Sequence, residues 1–502
     1  MASVSKSLPP PVGGWDTRNA LADMPAENAV ILDNFFPSTD KVTIRPGFTQ
    51  HVTGLSGNVE SLLEYTALSG TGKIFACNDG KIYDVSTAGA VGSALVTSRS
   101  NNKFQSVQIG TSGGQFLLAV NGADTPQVYN GSTWGNATFS GPTIANLIWC
   151  NVHQRRLWFG ETNKLTAWYL ATNAITGTAT EFPLYGIASL GGHIMAMETW
   201  STPSNNFQND LAVFLTSEGQ AIIYQGTDPS AASTWQLVGV FRIGKPIGRR
   251  CMIKAGADIL IITEDGFVAL SDILGGDVSQ TDRVSISAQI NKAVNDAVRD
   301  QAGTFGWEPF IYPKGTMLVF NIPVSATTFY QFVFNTITSA PTRFTGMNAL
   351  CWALNEDNPY FGGTDGKVYR FDSGTSDNGA NIEADALQAF NYFGSKAAKK
   401  AFKLAEPIFQ SAGAPNAALD LNIDFDIKLP TGIASAGASV GGLWGTALWD
   451  SGLWGSESQV YAGWRGVRGI GRAAALRVRI NTTSSSPAWI STNFVFVPGG
   501  QI

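Results

Sequence analysis

Charge is scarce in this 502-residue chain. Asp, Glu, Lys and Arg together make up 14% of it, against ~25% in an ordinary globular protein. The net charge is −5, and the clustered Lys and Arg that neutralise phosphates are missing. That argues against wrapping nucleic acid, though not against DNA passing close by without being held. The nearest approach to a basic cluster, "KAAKKAFK" with Lys396, Lys399, Lys400 and Lys403, is expected to be a solvated face. Histidine is scarcer still, with only His51, His153 and His193. None has the spacing of a metal-binding pair, and each is expected to be structural.

The four cysteines, Cys77, Cys150, Cys251 and Cys351, are scattered and mostly lie beside apolar residues. They read as buried thiols, without a zinc or disulfide framework. No run approaches the ~18 apolar residues of a membrane span. The start, "MASVSKSLPPPVGG", has no apolar core of a secretory signal. The expectation is a soluble protein made in a cytoplasm, with no membrane partner. Gly-x-Ser-x-Gly and the phosphate-cradling Gly-rich loop are also lacking. "NGSTWGN" (130–136) has the Thr-Trp of a sialidase box without its Asp. Without a catalytic constellation, no enzyme activity and no cofactor are expected. Two sites could hold Ca²⁺ through carboxylates: the polar face of "DLNIDFD", and Asp372 with Asp377. For both, a solvent face is the plainer reading.

What the chain has is glycine, 55 residues of it, and a repeated hairpin. "KIFACNDGKIYDV" (73–85) is an alternating apolar run, an Asp-Gly and a second alternating run, a strong hairpin signal. It returns at 210–226, 257–272 and 358–372, with looser copies at 114–131, 155–170 and 316–335. The turns fall near Gly80, Gly122, Thr162, Gly219, Gly266, Ser325 and Gly366. Half-buried hairpins repeated at such an interval predict a β-propeller of six or seven blades. The fold class is therefore mainly β, with the propeller over 51–375 behind an N-terminal arm and leading strand, 1–50. An apolar stripe of Ile290, Ala293, Val294, Ala297 and Val298 predicts a helical insertion near 285–303 on the rim. Ser395 reads as the opening of a second, short helix. The hairpin period stops after 373, and 381–390 and 418–430 alternate. Residues 376–502 are expected to form a smaller C-terminal β-sandwich-like domain.

Within that domain, "GLWGTALWDSGLWG" (442–455) repeats Leu-Trp every fifth residue. A helix would turn successive Trp by about 140°, and a strand would alternate them between faces. The stretch must bend at its glycines. Burying one Trp removes about 150–250 Å² from water, on the order of 4–6 kcal/mol as an upper bound. Three such anchors exceed what tethering a loop requires, so Trp444, Trp449 and Trp454 are expected to contact another subunit. Packing against their own domain is the plainer alternative.

"GGWDTRNALADMPAENAVILDNFFPSTDKVTIRPGF" (13–48) resembles the opening of nozzle-type tail proteins of short-tailed bacteriophages, the tail tubular protein B or DNA-stabilisation group. The matching residues are Gly14, Asp16, Thr17, Ala29, Leu32, Asn34, Pro37, Arg45, Pro46 and Gly47. The Leu-Trp units and "AGWRGVRGIGRAAALRVRI" (462–480) are similar to the end of that group. The resemblance implies a virion structural protein, assembled in the host cytoplasm as a hexamer at the distal end of the tail. It would continue the DNA channel from portal and adaptor, retain the genome, and release it on infection. It would contact the tail adaptor and pass DNA without sequence-specific binding. The family's longer fibre-docking insertions are not recognisable, which leaves contact with tail fibres or spikes open. A slightly acidic lumen would let DNA slide by repelling phosphate. Two other classes are a carbohydrate-binding or carbohydrate-cleaving propeller and a repeat scaffold of the WD or kelch kind. The scaffold's signatures are absent from the hairpins.

Overall fold

The computed structural model describes residues 3–204, 207–275, 285–430 and 459–499. The chain is mainly β, and residues 61–371 form a propeller-like ring of small antiparallel sheets. The first sheet is Ser61–Thr66, Gly72–Asn78 and Lys81–Asp84. The second runs from Gln105–Thr111 to Trp134–Asn136, the third from Leu147–His153 to Thr180–Pro183, and the fourth from Ile194–Ser204 to Trp235–Arg242. The fifth has three strands, Met252–Ala255 to Gly266–Ala269. The sixth begins with Glu308–Tyr312 and the seventh with Ala349–Asn355. Each turn foreseen in the sequence joins the second and third strands of one of these sheets.

The first strands of successive sheets lie side by side, and Ala349–Asn355 of the seventh returns against Ser61–Thr66 of the first. The ring closes by strand pairing. Phe48–Thr53, before the first sheet, pairs antiparallel with Val368–Phe371 of the seventh, Phe371 opposite Phe48. Apolar clusters fill the gaps between neighbouring sheets. Leu63 and Phe75 meet Leu117 and Tyr129 between the first two. Trp158 and Trp235 stack at 5.7 Å between the third and fourth. Cys351 and Ala353 meet Leu62 and Ile74 between the seventh and first. Alternation supplies this: each strand offers one face to each neighbouring sheet. Cys77, Cys251 and Cys351 are buried and Cys150 half-buried, all as free thiols.

The helix is Asn291–Gln301, entered through a 3₁₀ turn, Ala288–Ile290. Val294 and Val298 bury its inner face, which lies against Gly266–Ala269 of the fifth sheet and Met317–Pro323 of the sixth. The short helix expected from Ser395 does not form. Lys400–Ser411 is a strand, because Phe402, Ala405 and Phe409 enter an apolar core. The Lys400 ammonium is buried, donating to the carbonyls of Ser395, Ala398 and Arg472.

The N-terminal arm is not separate from the C-terminal strands. Asn28–Asp33 sits between Pro341–Phe344 of the sixth sheet and Ile382–Gln388, followed by Ala474–Thr482 and Ala417–Ile423. A second sheet lays Lys400–Ser411 on Ala488–Pro498, with Val4–Leu8 and Val42–Ile44 also on Ala488–Pro498. Side chains of both sheets, among them Leu32, Ile44, Phe402, Val478 and Phe494, share one core. The 418–430 alternation ends at Ile423, since Asp424 and Phe425 turn at φ 46° and 70°.

Candidate functional site

Every first strand faces the ring's axis, and together they enclose a cavity of about 510 Å³. Acidic side chains reach it from within apolar runs. Glu64 stands between Leu63 and Tyr65, whose side chains pack against the second sheet. Glu198 follows Met197 in the fourth sheet, and Glu308 opens the sixth. Burial pushes the Glu64 carboxyl up to about 7. The Glu308 carboxylate adds to that, and the Leu354 N–H, donating to Glu64 Oε1 at 2.6 Å, opposes it. Glu64 lines the axial space and keeps accessible surface. Burial also raises the carboxyls of Glu198 and Glu308.

Two arginines close one mouth of this space. Arg249 and Arg250 precede the fifth sheet, whose ring neighbours are the fourth and sixth. Their contacts nevertheless reach the first and second sheets, on the far side of the axis. Arg250 Nη2 donates to Ser61 Oγ at 2.6 Å, Phe104 O at 2.8 Å and Glu60 O at 3.1 Å. Its Nη1 meets Glu308 Oε2 at 3.3 Å. Arg249 Nη1 donates to Lys103 O at 2.9 Å and Asn121 O at 3.4 Å. Only side chains crossing the axis can join these sheets, so the pair is a crossbar. Burial, then the charge of Arg250, lowers the Arg249 pKa.

Such a site can bind a cation or exchange a proton near neutral pH. It offers no activated nucleophile: Cys150 lines it, but burial raises that thiol. Among the described residues no three His, Cys, Asp or Glu converge as metal ligands. Asp372 accepts the Tyr312 hydroxyl at 2.5 Å, Asp377 pairs with Arg45, and Asp424 accepts the N–H groups of Arg472 and Ala473. The histidines lie elsewhere. His153 Nδ1 stands 3.0 Å from Thr199 Oγ1, whose proton goes to Val152 O, so Nδ1 is the donor. Burial lowers its pKa to about 4. His51 Nε2 meets Val85 O.

Trp444, Trp449 and Trp454 lie outside the described residues. The residues that carried the family resemblance come together as a joint. Asp16 accepts Asn28 Nδ2 at 2.7 Å and the N–H groups of Arg18 and Asn19. Gly14, at φ +85°, leaves no room for a Cβ, which would stand 2.5 Å from Pro341 O of the sixth sheet. Arg45, fully buried, makes a bidentate pair with Asp377 at 2.6 and 2.8 Å and donates to Asn34 Oδ1 and Thr345 O. The axial charges were missed in the sequence. Their signal is a lone Glu inside an apolar run, "LLEY" or "AMET", and the doublet in "GRRC".

No protein-family model matches the sequence, and no curated protein matches it. Among solved structures, BBS1N in complex with ARL6DN is similar at 9% identity and a TM-score of 0.42, over 65% of this chain and 98% of that one. The computationally designed Ika8 protein is similar at 10% identity and TM-score 0.37, over 64% and 99%. The extracellular domain of the two-component system BT4673 from B. thetaiotaomicron is similar at 13% and 0.38, over 71% of this chain and 43% of that one. Likenesses this distant say nothing of function.

Proposed function

We propose that this chain is a structural subunit of the distal tail nozzle of a short-tailed bacteriophage. In this reading it is a seven-bladed propeller joined to a β-sandwich-like unit, and it assembles as a hexameric ring below the tail adaptor. The ring continues the DNA channel, retains the genome and releases it on infection, without enzymatic chemistry. The observation that supports the reading is the joint: Gly14, Asp16, Asn34 and Arg45, shared with that family's opening, hold framework rather than face a cavity. The Arg249–Arg250 crossbar spans the propeller's own axis. DNA would therefore run through the space enclosed by the subunits, not through each propeller.

The test is an electron-microscope image of the purified full chain beside its light-scattering mass. Rings with a central hole are expected; a compact monomer under assembly conditions would sink the reading. Changing Trp444, Trp449 and Trp454 together to Ser should leave melting unchanged and abolish rings. Rings of normal mass in that variant would remove the tryptophans from the contact.

A further inference from the structure

We propose that the strand Arg465–Gly471 and its neighbour Lys400–Ser411 bind the phosphate backbone of duplex DNA, without regard to its sequence. Arg465, Arg468 and Arg472 lie on or just after the first strand, Lys399 and Lys403 on or just before the second, and all five are exposed. The ladder sets like charges beside one another. Lys400 stands opposite Gly471, which puts Lys399 next to Arg472, and the bulge between Phe402 and Leu404 puts Lys403 against Val467 and Arg468. Like charges across a ladder repel, and none of the five has an ion pair among the described residues. Two carboxylates of these strands and the adjoining turn are engaged otherwise. Asp424 accepts the N–H groups of Arg472 and Ala473, and Glu406 accepts Asn493 Nδ2. Asp33 and Asp385 face the same conflict, and there each is held by its own arginine. At the cationic strands the missing counter-charge is supplied by a ligand.

The shape of the array selects that ligand. The cations form a row rather than a nest: Arg465 to Arg472 covers about 20 Å of chain, too long for one small anion. An acidic strand laid alongside would offer a carboxylate on one face only every ~6.6 Å. A DNA duplex offers one phosphate per ~1.7 Å of its axis, about a dozen over the same length, and the arginine fork matches phosphate oxygens. Gly466 has open space around it, so the backbone between Arg465 and Arg468 is no obstacle. Trp464, 46% exposed, and Ile470, 72% exposed, give apolar surface for the sugars between phosphates. The net charge of −5 does not oppose this, because backbone contact depends on the local field. The inference rests on the nozzle reading for where DNA is met, and deepens it by naming the strands that the passing duplex touches.

Fluorescence anisotropy of the full chain with labelled duplexes of two unrelated sequences tests this. Saturable binding of both is expected at about 50 mM salt, weakening toward about 200 mM. Arg465→Gln with Arg468→Gln should weaken binding about tenfold at the lower salt and flatten the slope of log K against log salt by about 2. Both side chains are exposed, so circular dichroism and melting should match the parent. The control removes two other exposed charges, on the propeller: Lys164→Gln with Lys314→Gln should leave binding nearly unchanged. No saturable binding at the lower salt overturns the proposal. So does equal weakening in both double variants, or competition by polyglutamate as effective, charge for charge, as by unlabelled duplex. Rings that bind no duplex overturn this contact and leave the nozzle reading; binding without rings does the reverse.

Discussion

Gly266 turns the fifth sheet's hairpin at φ +126°, and a Cβ there would come within 2.7 Å of the hydroxyls of both Ser285 and Ser287. Those hydroxyls are committed: Ser287 Oγ accepts the Phe267 N–H and Ser285 Oγ donates to Phe267 O. Gly266→Val therefore meets a strained backbone and a steric clash together, and should lower stability by on the order of 1–3 kcal/mol. Urea denaturation checks this, with Gly57→Ala as control, since Gly57 has positive φ but open space. An equal midpoint shift in both would mean that the serines do not matter. His153 gives a pH handle. Its pKa falls from 6.5 to about 4 on folding, so between those values the unfolded chain binds the extra proton. Stability is then lost as pH falls through that window, by on the order of 3 kcal/mol. Glu64 works oppositely: the folded state holds its proton up to about 7, so its contribution weakens as pH rises from 4.5. Comparison with His153→Phe isolates the histidine. The variant should lose the steeper acid-side fall, and identical pH profiles would refute the assignment.

Among the elements, the segment before the fifth sheet does more than its length suggests. The Arg250 side chain is 13% exposed and its partner Glu308 16%, and removing one member of such a pair leaves a charge stranded. Arg250→Ala should cost about 3 kcal/mol, while Arg250→Met with Glu308→Leu should recover most of it. A double-mutant cycle by chemical denaturation measures this. If the single change costs no more than an exposed salt bridge, under about 1 kcal/mol, the crossbar does not hold the ring. A second set of charges ties the ring's sixth sheet to the terminal strands. Arg343 grips Asp33 at 2.7 and 2.8 Å, and Arg477 grips Asp385 at 2.7 and 2.9 Å. Asp33 and Asp385 lie opposite each other on neighbouring strands, where like charges repel. Each is offset by its own bidentate arginine.

For the whole molecule, the N-terminal strands are the shared part. Asn28–Asp33 fills the place between Pro341–Phe344 and Ile382–Gln388, and Val4–Leu8 covers one edge of Ala488–Pro498. Residues 376–502 made alone would lack those strands, expose unpaired edges and lose the Phe35, Val42 and Ile44 side of their core. The fragment should show no cooperative melting transition by circular dichroism. A transition like that of the whole chain would show that the N-terminal arm is dispensable to it.

The hairpins were legible in the sequence because they are local. Asp-Gly at 79–80, 265–266 and 365–366, and Glu-Gly at 218–219, turn the chain with glycine at positive φ, and alternation on either side writes the strand. The buried cysteines and the stripe of Ile290, Val294 and Val298 were legible for the same reason. Periodicity alone left Ser395 to Phe402 ambiguous, and a core contributed by distant strands drew the chain from Lys400 on into a strand, with bends before it. The first strand of each sheet has no turn signal of its own, so the axial cavity was invisible although five charged residues line it. Its charges lie on residues 64, 198, 249, 250 and 308, far apart in the chain. Only closure of the ring, with Phe48–Thr53 sealing the seventh sheet, brings them to one axis. Pairing between strands so distant is set by which edges and faces remain to be covered once the local pieces exist, and no window of sequence carries that information.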